Sequence, residues 1–524
     1  MNSKIRNGLV YLHDYISISI NRNHGFRKNK EHLTSIKKQL KISTLTYITG
    51  ELWYLQSNNY IPTSLARARK NAQKNKAIVM KVSQFANCSV GEAIDKLYNA
   101  KCIEISNQQY VRYQMWDLSA EEISEFSQTL QKLAVHNQEK RTYYINLAAE
   151  RSGKTQEEIS KILDTYVGSG LTAYMYVWRK LYLLDENALG EYLSSQNANE
   201  EEDDEEGSIK LTNSDYLKKI CQTTGWTPGK AELEITKARV NSGASYKNYY
   251  YFRMHELTPD VQRTYITRDN FVMFRVKYND PIAAQAFCNK ASFNRLFSDF
   301  IHRKWFINKD VTYEQFLKYT SGISAVMYKP MDSSQGKGIT KYELTSTNKQ
   351  KVYNTLANLP RGLVEEFITQ HDSVKAFCDT SVNTIRVMTL NANGKCNFLH
   401  AVFRMGCGKV VDNFHAGGVG AIVDVETGLI VTHASDLEGN VYPTHPYSGL
   451  DSMGFQIPNW EKVRQACEAI YNRVPNLNMI GWDFAITPDG FELVEGNSTP
   501  YYLSQSIWSV KKIGRRAIEL DPYL

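Results

Sequence analysis

From about Arg263 the chain becomes a series of short β-branched runs separated by turn signals, and this texture constrains the fold more than any other feature. The runs are SAVMYKP, GLVEEFI, NTIRVMTL, CNFLHAVFRM, GAIVDVETGLIV and DFAIT followed by FELVEG. The turns are Asn393-Gly394, Glu426-Thr427-Gly428 and Pro488-Asp489-Gly490. Tight turns between such runs join antiparallel neighbours, so the pattern predicts a largely antiparallel α+β domain. Helical patterns interrupt it around Phe293 to Ile301 and from Asn459 to Val474.

The first half has a different texture. VSQFANCSVGEAIDKLYNAKC, INLAAERSGKTQEEISKIL and LKKICQTTGWTPGKAELEITKARV each lead into an aromatic-rich helical segment. These segments close on Leu118-Ser119, Leu184-Asp185 and Leu257-Thr258, where Ser119 and Thr258 suit helix N-caps. A weak internal repeat of this kind predicts all-α repeat modules that bury Tyr, Leu and Met faces against one another. The expected organisation is multidomain: a basic helical extension over 1–70, two helical repeat modules over 71–200, an acidic linker over 200–207, a third module over 208–262 and an α+β domain over 263–524. The linker is the run from Glu200 to Glu206, whose adjacent carboxylates repel one another and have little to bury.

Between Met1 and Lys81, Lys and Arg far outnumber Asp and Glu. Such a block suits a solvated basic face, an anionic glycan or a lipid headgroup at the inner membrane face. No recognition helix with a base-reading face stands out, which argues against nucleic acid. The eight cysteines include no C-x-x-C pair, as in a reducing cytoplasm. No signal peptide is read at the N-terminus, and no apolar run approaches the roughly 20 residues of a membrane span.

Four stretches carry chemistry. In YKPMDSSQGKGI a strand delivers Lys329, and Ser333, Ser334, Gly336 and Gly338 form a small-residue turn. Backbone N–H groups in such a turn can approach phosphate oxygens beside the lysine charge, although an ordinary turn would have the same composition. LVEEFITQ carries Glu365, Glu366 and Ile368, suited to the edge of a base and ribose pocket, or to a strand with solvated glutamates. Arg386 and Arg404 lie on core strands and need anionic partners, from a ligand or a structural salt bridge. Beyond them VVDNFHAGGVGA, with Asp412, Asn413, His415, Gly417 and Gly418, suits a loop closing over substrate. In MIGWDFAITPDGFELVEGNSTP a hairpin sets Asp483 opposite Glu495 and Asn497, oxygen ligands of the kind Mg²⁺ prefers.

The order of these motifs resembles the ATP-grasp superfamily, which includes D-alanine–D-alanine ligase and carbamoyl-phosphate synthetase. SVNTIRVMTL, VVDNFHAGGVGAIVDVETG and GWDFAITPDGFELVEGN resemble the sugar-transfer-associated branch found with bacterial polysaccharide genes, over about 263–505. The resemblance implies ATP and Mg²⁺ as cofactors. Lys329 would contact the phosphates under the loop from Ser333 to Gly338, with Lys290 as the second lysine. Glu365, Glu366 and Ile368 would lie at adenine and ribose, and Asp483, Glu495 and Asn497 would hold the metal. Arg386 and Arg404 would stabilise the transferring phosphoryl group or hold an anionic acceptor, and His415 would position substrate.

The implied chemistry is activation of a carboxylate as acyl phosphate for attack by an amine, in polysaccharide biosynthesis or modification. A phosphotransferase acting on a sugar-like hydroxyl is one alternative. A non-catalytic nucleotide-binding scaffold with helical interaction repeats is another. The expected partners are ATP, a carboxylate, amine or sugar-like acceptor, and polysaccharide-biosynthesis proteins. Replacing Asp483 or Glu495 by Ala is expected to abolish turnover and leave the fold largely intact.

Overall fold

A computed structural model describes residues 65–195, 211–331, 338–409, 412, 414, 417–498, 505–508 and 514–523. The basic segment up to 64 and the acidic run at 200–206 therefore lie outside the described residues. The chain forms two compact units, Met1–Val135 with Leu217–Val240, and His136–Tyr216 with Asn241–Leu524.

In the first unit, apolar spacing makes the helices amphipathic. Val90–Cys102 buries Ala93, Ile94, Leu97 and Ala100 on one face, against Val79, Val82, Tyr110, Met115, Phe126 and Leu233. A capping box starts it: the Ser89 hydroxyl accepts from the Glu92 N–H at 3.2 Å, and the Glu92 carboxylate accepts from the Ser89 N–H at 2.7 Å.

One local geometry occurs at each of the three aromatic-rich segments. Six-residue helices, Asn107–Arg112, Ala173–Trp178 and Tyr246–Tyr251, are capped by Ser106, Thr172 and Ser245. Each is followed by a left-handed residue, Gln114, Lys180 or Arg253, with φ of 50°, 53° and 49°. A single 3₁₀ turn then buries Met115, Leu181 or Met254, and the chain leaves through extended Leu118, Leu184 or Leu257.

The second unit contains two sheets whose pairings are all antiparallel. The strands are β1 (Trp305–Ile307), β2 (Ala325–Pro330), β3 (Thr340–Glu343), β4 (Gly362–Glu366), β5 (Thr384–Ala392), β6 (Lys395–Met405), β7 (Val419–Val423), β8 (Ala434–Ser435), β9 (Val441–Tyr442), β10 (Met479–Thr487) and β11 (Gly490–Asn497). The smaller sheet runs β1-β4-β2-β3, and the larger β11-β10-β5-β6-β7-β8-β9. Helices Tyr313–Tyr319 and Lys349–Asn358 cover the smaller sheet through Phe316, Val352 and Leu356. Helix Trp460–Ile470 covers one face of the larger sheet and shares its core with Ile480, Trp482, Phe484 and Ile486 of β10.

Alternation along β10 turns Met479, Gly481, Asp483 and Ala485 to the other face. The register sets Arg386 of β5 directly opposite Asp483. On the next strand Thr384 is opposite Arg404 and Arg386 opposite Val402, so both arginines share the Asp483 face. A polar stripe of Thr384, Arg386, Arg404 and Asp483 thus crosses this face of the sheet.

Helical structure at Lys290–Leu296 and Trp460–Ile470 falls where the helical pattern interrupts the strand runs. Strand texture does not begin at Arg263, however. Arg268–Tyr278 is a helix that buries Phe271, Val272, Phe274 and Val276, and β1 begins only at Trp305. In GAIVDVETGLIV only Val419–Val423 pairs as a named strand; the rest is a turn closed by a single Val423–Ile430 bridge.

Candidate active site

The hairpin β10–β11 positions the candidate metal ligands, and a β-bulge decides where they point. Asp483 pairs with Glu495 and Gly481 with Asn497, whereas Phe484 pairs with Leu493, so Val494 is the extra residue. Without the bulge Glu495 would lie opposite Trp482, on the face packed against helices. The one-residue shift turns Glu495 and Asn497 to the Asp483 side. Gly496 between them lets the strand approach an aromatic cluster: a Cβ there would sit 2.9 Å from ring atoms of Phe287 and Phe293.

Asp483 is sealed in, with its side chain only 1% exposed. Arg386 grips it in a bidentate fork, Nε to one oxygen and Nη2 to the other at 2.8 Å. Arg404 Nη2 lies 3.3 Å from Asp483 and 3.3 Å from Asp412. Asp412 accepts from the Thr384 N–H at 3.1 Å and from the Thr384 hydroxyl. Burial alone would raise the Asp483 pKa; Arg386 and Arg404 overcome it and hold the group at about 2. Glu495 is the open member, its side chain 53% exposed and 3.9 Å from Arg386 Nη2. Desolvation by surrounding protein and the neighbouring Asp483 charge raise its pKa. Asn497 Nδ2 donates to Glu495 at 3.4 Å.

These groups fit a hard divalent cation: two facing carboxylates with an amide oxygen alongside. Mg²⁺ commonly uses one or two carboxylates and completes its shell from phosphates and water. Among the described residues no cluster of three or more His, Cys, Asp or Glu could hold a metal without such help. Asp483 would have to be shared between the cation and its arginines. The partners of Arg386 and Arg404 in this structure are thus Asp483 and Asp412, the salt-bridge alternative for arginines on core strands. Asp483→Ala would take the main partner from Arg386, so a loss of stability is expected beside the loss of turnover.

On the smaller sheet, β2 carries Lys329 beside Glu365 of β4, with Nζ 2.5 Å from Oε2. Lys290, the first residue of its helix, donates to the carbonyls of Pro330 and Met331 at 3.2 and 3.4 Å, so both lysines meet at the end of β2. Gly338 closes the following loop at φ +73°; Ser333, Ser334 and Gly336 lie outside the described residues. Ile368 is buried just after β4, and the Glu366 carboxylate accepts from the Lys304 N–H at 3.2 Å.

Glu365 requires a correction. Its carboxylate is not open to a ribose: Oε2 meets Lys329, and Oε1 accepts from Arg303 Nη2 at 2.7 Å and Asn294 Nδ2 at 2.9 Å. Burial opposes its charge, but Arg303 and then Lys329 hold it well below the usual carboxylate range. Arg303, 3% exposed, also reaches Glu492 of β11 at 3.2 Å. Among the described residues its Nε has no hydrogen-bond partner.

Sequence reasoning passed over Arg303, Asn294 and Glu492. The available signal was Glu492 itself: an acid between Phe491 and Leu493 on a core strand implies a buried cation. In the loop after β6, Asn413 and His415 lie outside the described residues. Gly417 has φ +90°, and a Cβ on Gly418 would sit 2.3 Å from the Asp412 carbonyl oxygen, so the loop returns tightly against Asp412.

No curated protein matches the chain. Among solved structures it is similar to the ATP-grasp ligase PsnB complexed with minimal precursor, with TM-score 0.26 and 14% identity over 43% of this chain and 57% of that one. D-alanyl-alanine synthetase A from Vibrio cholerae gives TM-score 0.27 and 13% identity over 44% and 68%. D-cycloserine synthetase DcsG gives 0.28 and 11% over 50% and 77%. The chain thus spans 57% of the PsnB chain, and likeness this distant says nothing about substrate. The family model described as sugar-transfer associated ATP-grasp matches residues 271–509. Residues 271–509 of this chain are a sugar-transfer associated ATP-grasp domain.

Proposed function

We propose that this chain is an ATP- and Mg²⁺-dependent ligase that activates a carboxylate as an acyl phosphate for attack by an amine, in the assembly or modification of a cell-surface polysaccharide. The observation that carries the reading is the grouping of Asp483, Glu495 and Asn497 on one face of β10–β11, created by the bulge at Val494. The branch description, sugar-transfer associated, supports the polysaccharide context.

In this reading Lys329 and Lys290 bind the phosphates beneath the turn from Ser333 to Gly338. Glu366 and Ile368 line the adenine and ribose pocket, and Glu365 holds Lys329 Nζ in place. Asp483, Glu495 and Asn497 hold Mg²⁺, which when bound neutralises phosphate charge. Arg386 and Arg404, held by Asp483 and Asp412, face the same side and would add guanidinium charge beside the transferring phosphoryl group or an anionic acceptor. A carboxylate oxygen of the substrate attacks the γ-phosphorus and ADP leaves. The amine then attacks the acyl carbon and loses a proton, and inorganic phosphate departs. His415 would position the acceptor. The protein mainly aligns reactants and places charge.

We propose also the division into an N-terminal extension over 1–70, modules over 71–200 and 208–262 joined by the linker at 200–207, and the catalytic domain over 263–524. The recurring helix, left-handed residue and 3₁₀ turn at Gln114, Lys180 and Arg253 support related modules. No helix among the described residues is long and apolar enough to cross a membrane.

Hydroxylamine trapping tests the chemistry. With ATP, Mg²⁺ and candidate carboxylates, a ligase of this kind yields a hydroxamate together with ADP. ADP formation that depends on a hydroxyl acceptor, with phosphate retained on it and no hydroxamate, would replace this reading with a phosphotransferase.

A further inference from the structure

Arg303 occupies a position that neither the metal face nor the phosphate lysines explain. It is 3% exposed, precedes β1, and uses one planar group to touch both sheets. Toward the smaller sheet, Nη2 donates to Glu365 Oε1 at 2.7 Å, and Glu365 Oε2 holds Lys329 Nζ at 2.5 Å. Toward the larger sheet, Nη1 donates to Glu492 Oε2 at 3.2 Å and to the Leu493 carbonyl at 2.7 Å, while Nη2 reaches the Val494 carbonyl at 3.4 Å. Leu493 and Val494 form the bulge that turns Glu495 and Asn497 toward Asp483. The same guanidinium therefore braces the carboxylate behind the phosphate lysine and the backbone that aims the metal ligands.

We infer that Arg303 is a positioning residue that sets the spacing between Lys329 and the Glu495–Asn497 strand, so that nucleotide phosphates and metal are bound as one unit. The inference rests on the ATP-grasp ligase reading. The geometry explains why arginine stands here. Four acceptors on two sheets lie around one rigid fork, and a lysine ammonium at the end of a flexible stem cannot meet them together. Glu492 locks the other side, accepting also from the His302 N–H at 3.0 Å and the Arg303 N–H at 3.3 Å.

The test uses the full chain as wild type, Arg303→Lys and Glu365→Gln, titrated by calorimetry with a non-hydrolysable ATP analogue over a series of Mg²⁺ concentrations. Loss of a supporting residue behind bound ligands typically costs about 10–100-fold in affinity. Arg303→Lys is expected to weaken analogue binding by a factor in that range and to raise the Mg²⁺ concentration it requires. Glu365→Gln should weaken the analogue and leave the Mg²⁺ requirement unchanged. A merely structural Arg303 would lower the melting temperature without moving either quantity in the folded protein. Folded Arg303→Lys with wild-type affinity and Mg²⁺ requirement would overturn the inference. If that variant does not fold, Glu492→Gln decides: a raised Mg²⁺ requirement supports the brace, and an unchanged one overturns it. Wild type that binds no analogue would sink the ligase reading and the inference together, an outcome distinct from normal wild-type binding with unaffected variants.

Discussion

Replacing Asp483 by Asn should destabilise the protein far more than replacing Glu495 by Gln, although the two residues are cross-strand partners. Asp483 is 1% exposed and bidentately held, and its pKa falls from 3.8 to about 2. At 1.36 kcal/mol per unit, that depression corresponds to about 2 kcal/mol of stabilisation of the charged form at neutral pH. The substitution leaves Arg386 a neutral amide oxygen in place of a carboxylate, with Glu495, 3.9 Å away, as its remaining charged partner among the described residues, while Arg404 keeps Asp412. Breaking a buried pair from one side typically costs about 3–5 kcal/mol, so a loss of roughly 3 kcal/mol is expected. Glu495 is 53% exposed and at the limit of pairing distance, so Glu495→Gln should cost no more than about 0.5 kcal/mol. Urea unfolding at pH 7, followed by tryptophan fluorescence, measures both, with buried Trp482 beside the substitution as one reporter. An Asp483→Asn variant within about 0.5 kcal/mol of wild type would refute the buried-pair argument. Equal losses in the two variants would refute it as well.

Other expectations follow from the same contacts. Asp483 and Glu365 both have depressed pKa values, so their stabilisation is complete above the unfolded carboxylate range and is lost progressively as pH falls from there through their lower folded values. The melting temperature should therefore fall below about pH 4, and stability rising on acidification from pH 7 to 5 in wild type but not in Glu365→Gln would contradict this. Gly496→Ala would press a methyl group onto Phe287 and Phe293 and should cost about 1–3 kcal/mol by urea unfolding, whereas a neutral effect would mean the rings yield freely. Ser89→Ala removes one capping box and should cost about 1 kcal/mol, checked by the same unfolding experiment.

The sheets were legible where the signal was local. β5, β6 and the β10–β11 hairpin announce themselves through β-branched runs meeting at tight turns, and Asn393 and Gly394 do adopt the positive φ values such a turn requires. Residue spacing along β11 placed Glu495 and Asn497 on one face, but the bulge that aims that face at Asp483 depends on pairing with β10 and has no local signature. Helix Tyr313–Tyr319 was passed over although Thr312 and Gln315 form a capping box, because seven residues are too few for a periodic pattern. Glu365 was misread for a tertiary reason: its cation, Arg303, is 62 residues away, and a glutamate on a strand carries no mark of what buries it.

The central claim, a nucleotide site built on Lys329 and completed by a cation at Asp483, Glu495 and Asn497, is tested most directly by thermal-shift titration of the full chain with a non-hydrolysable ATP analogue. Glu495→Gln is the appropriate control, since it alters an open ligand and spares the buried pair. Ligand at 100 times its Kd stabilises the folded state by about 2.7 kcal/mol. The account predicts a Mg²⁺-dependent rise in melting temperature for wild type that Glu495→Gln loses, with unliganded melting temperatures alike. A wild type that shows no shift at millimolar nucleotide, or a variant that keeps the full Mg²⁺-dependent shift, would contradict it.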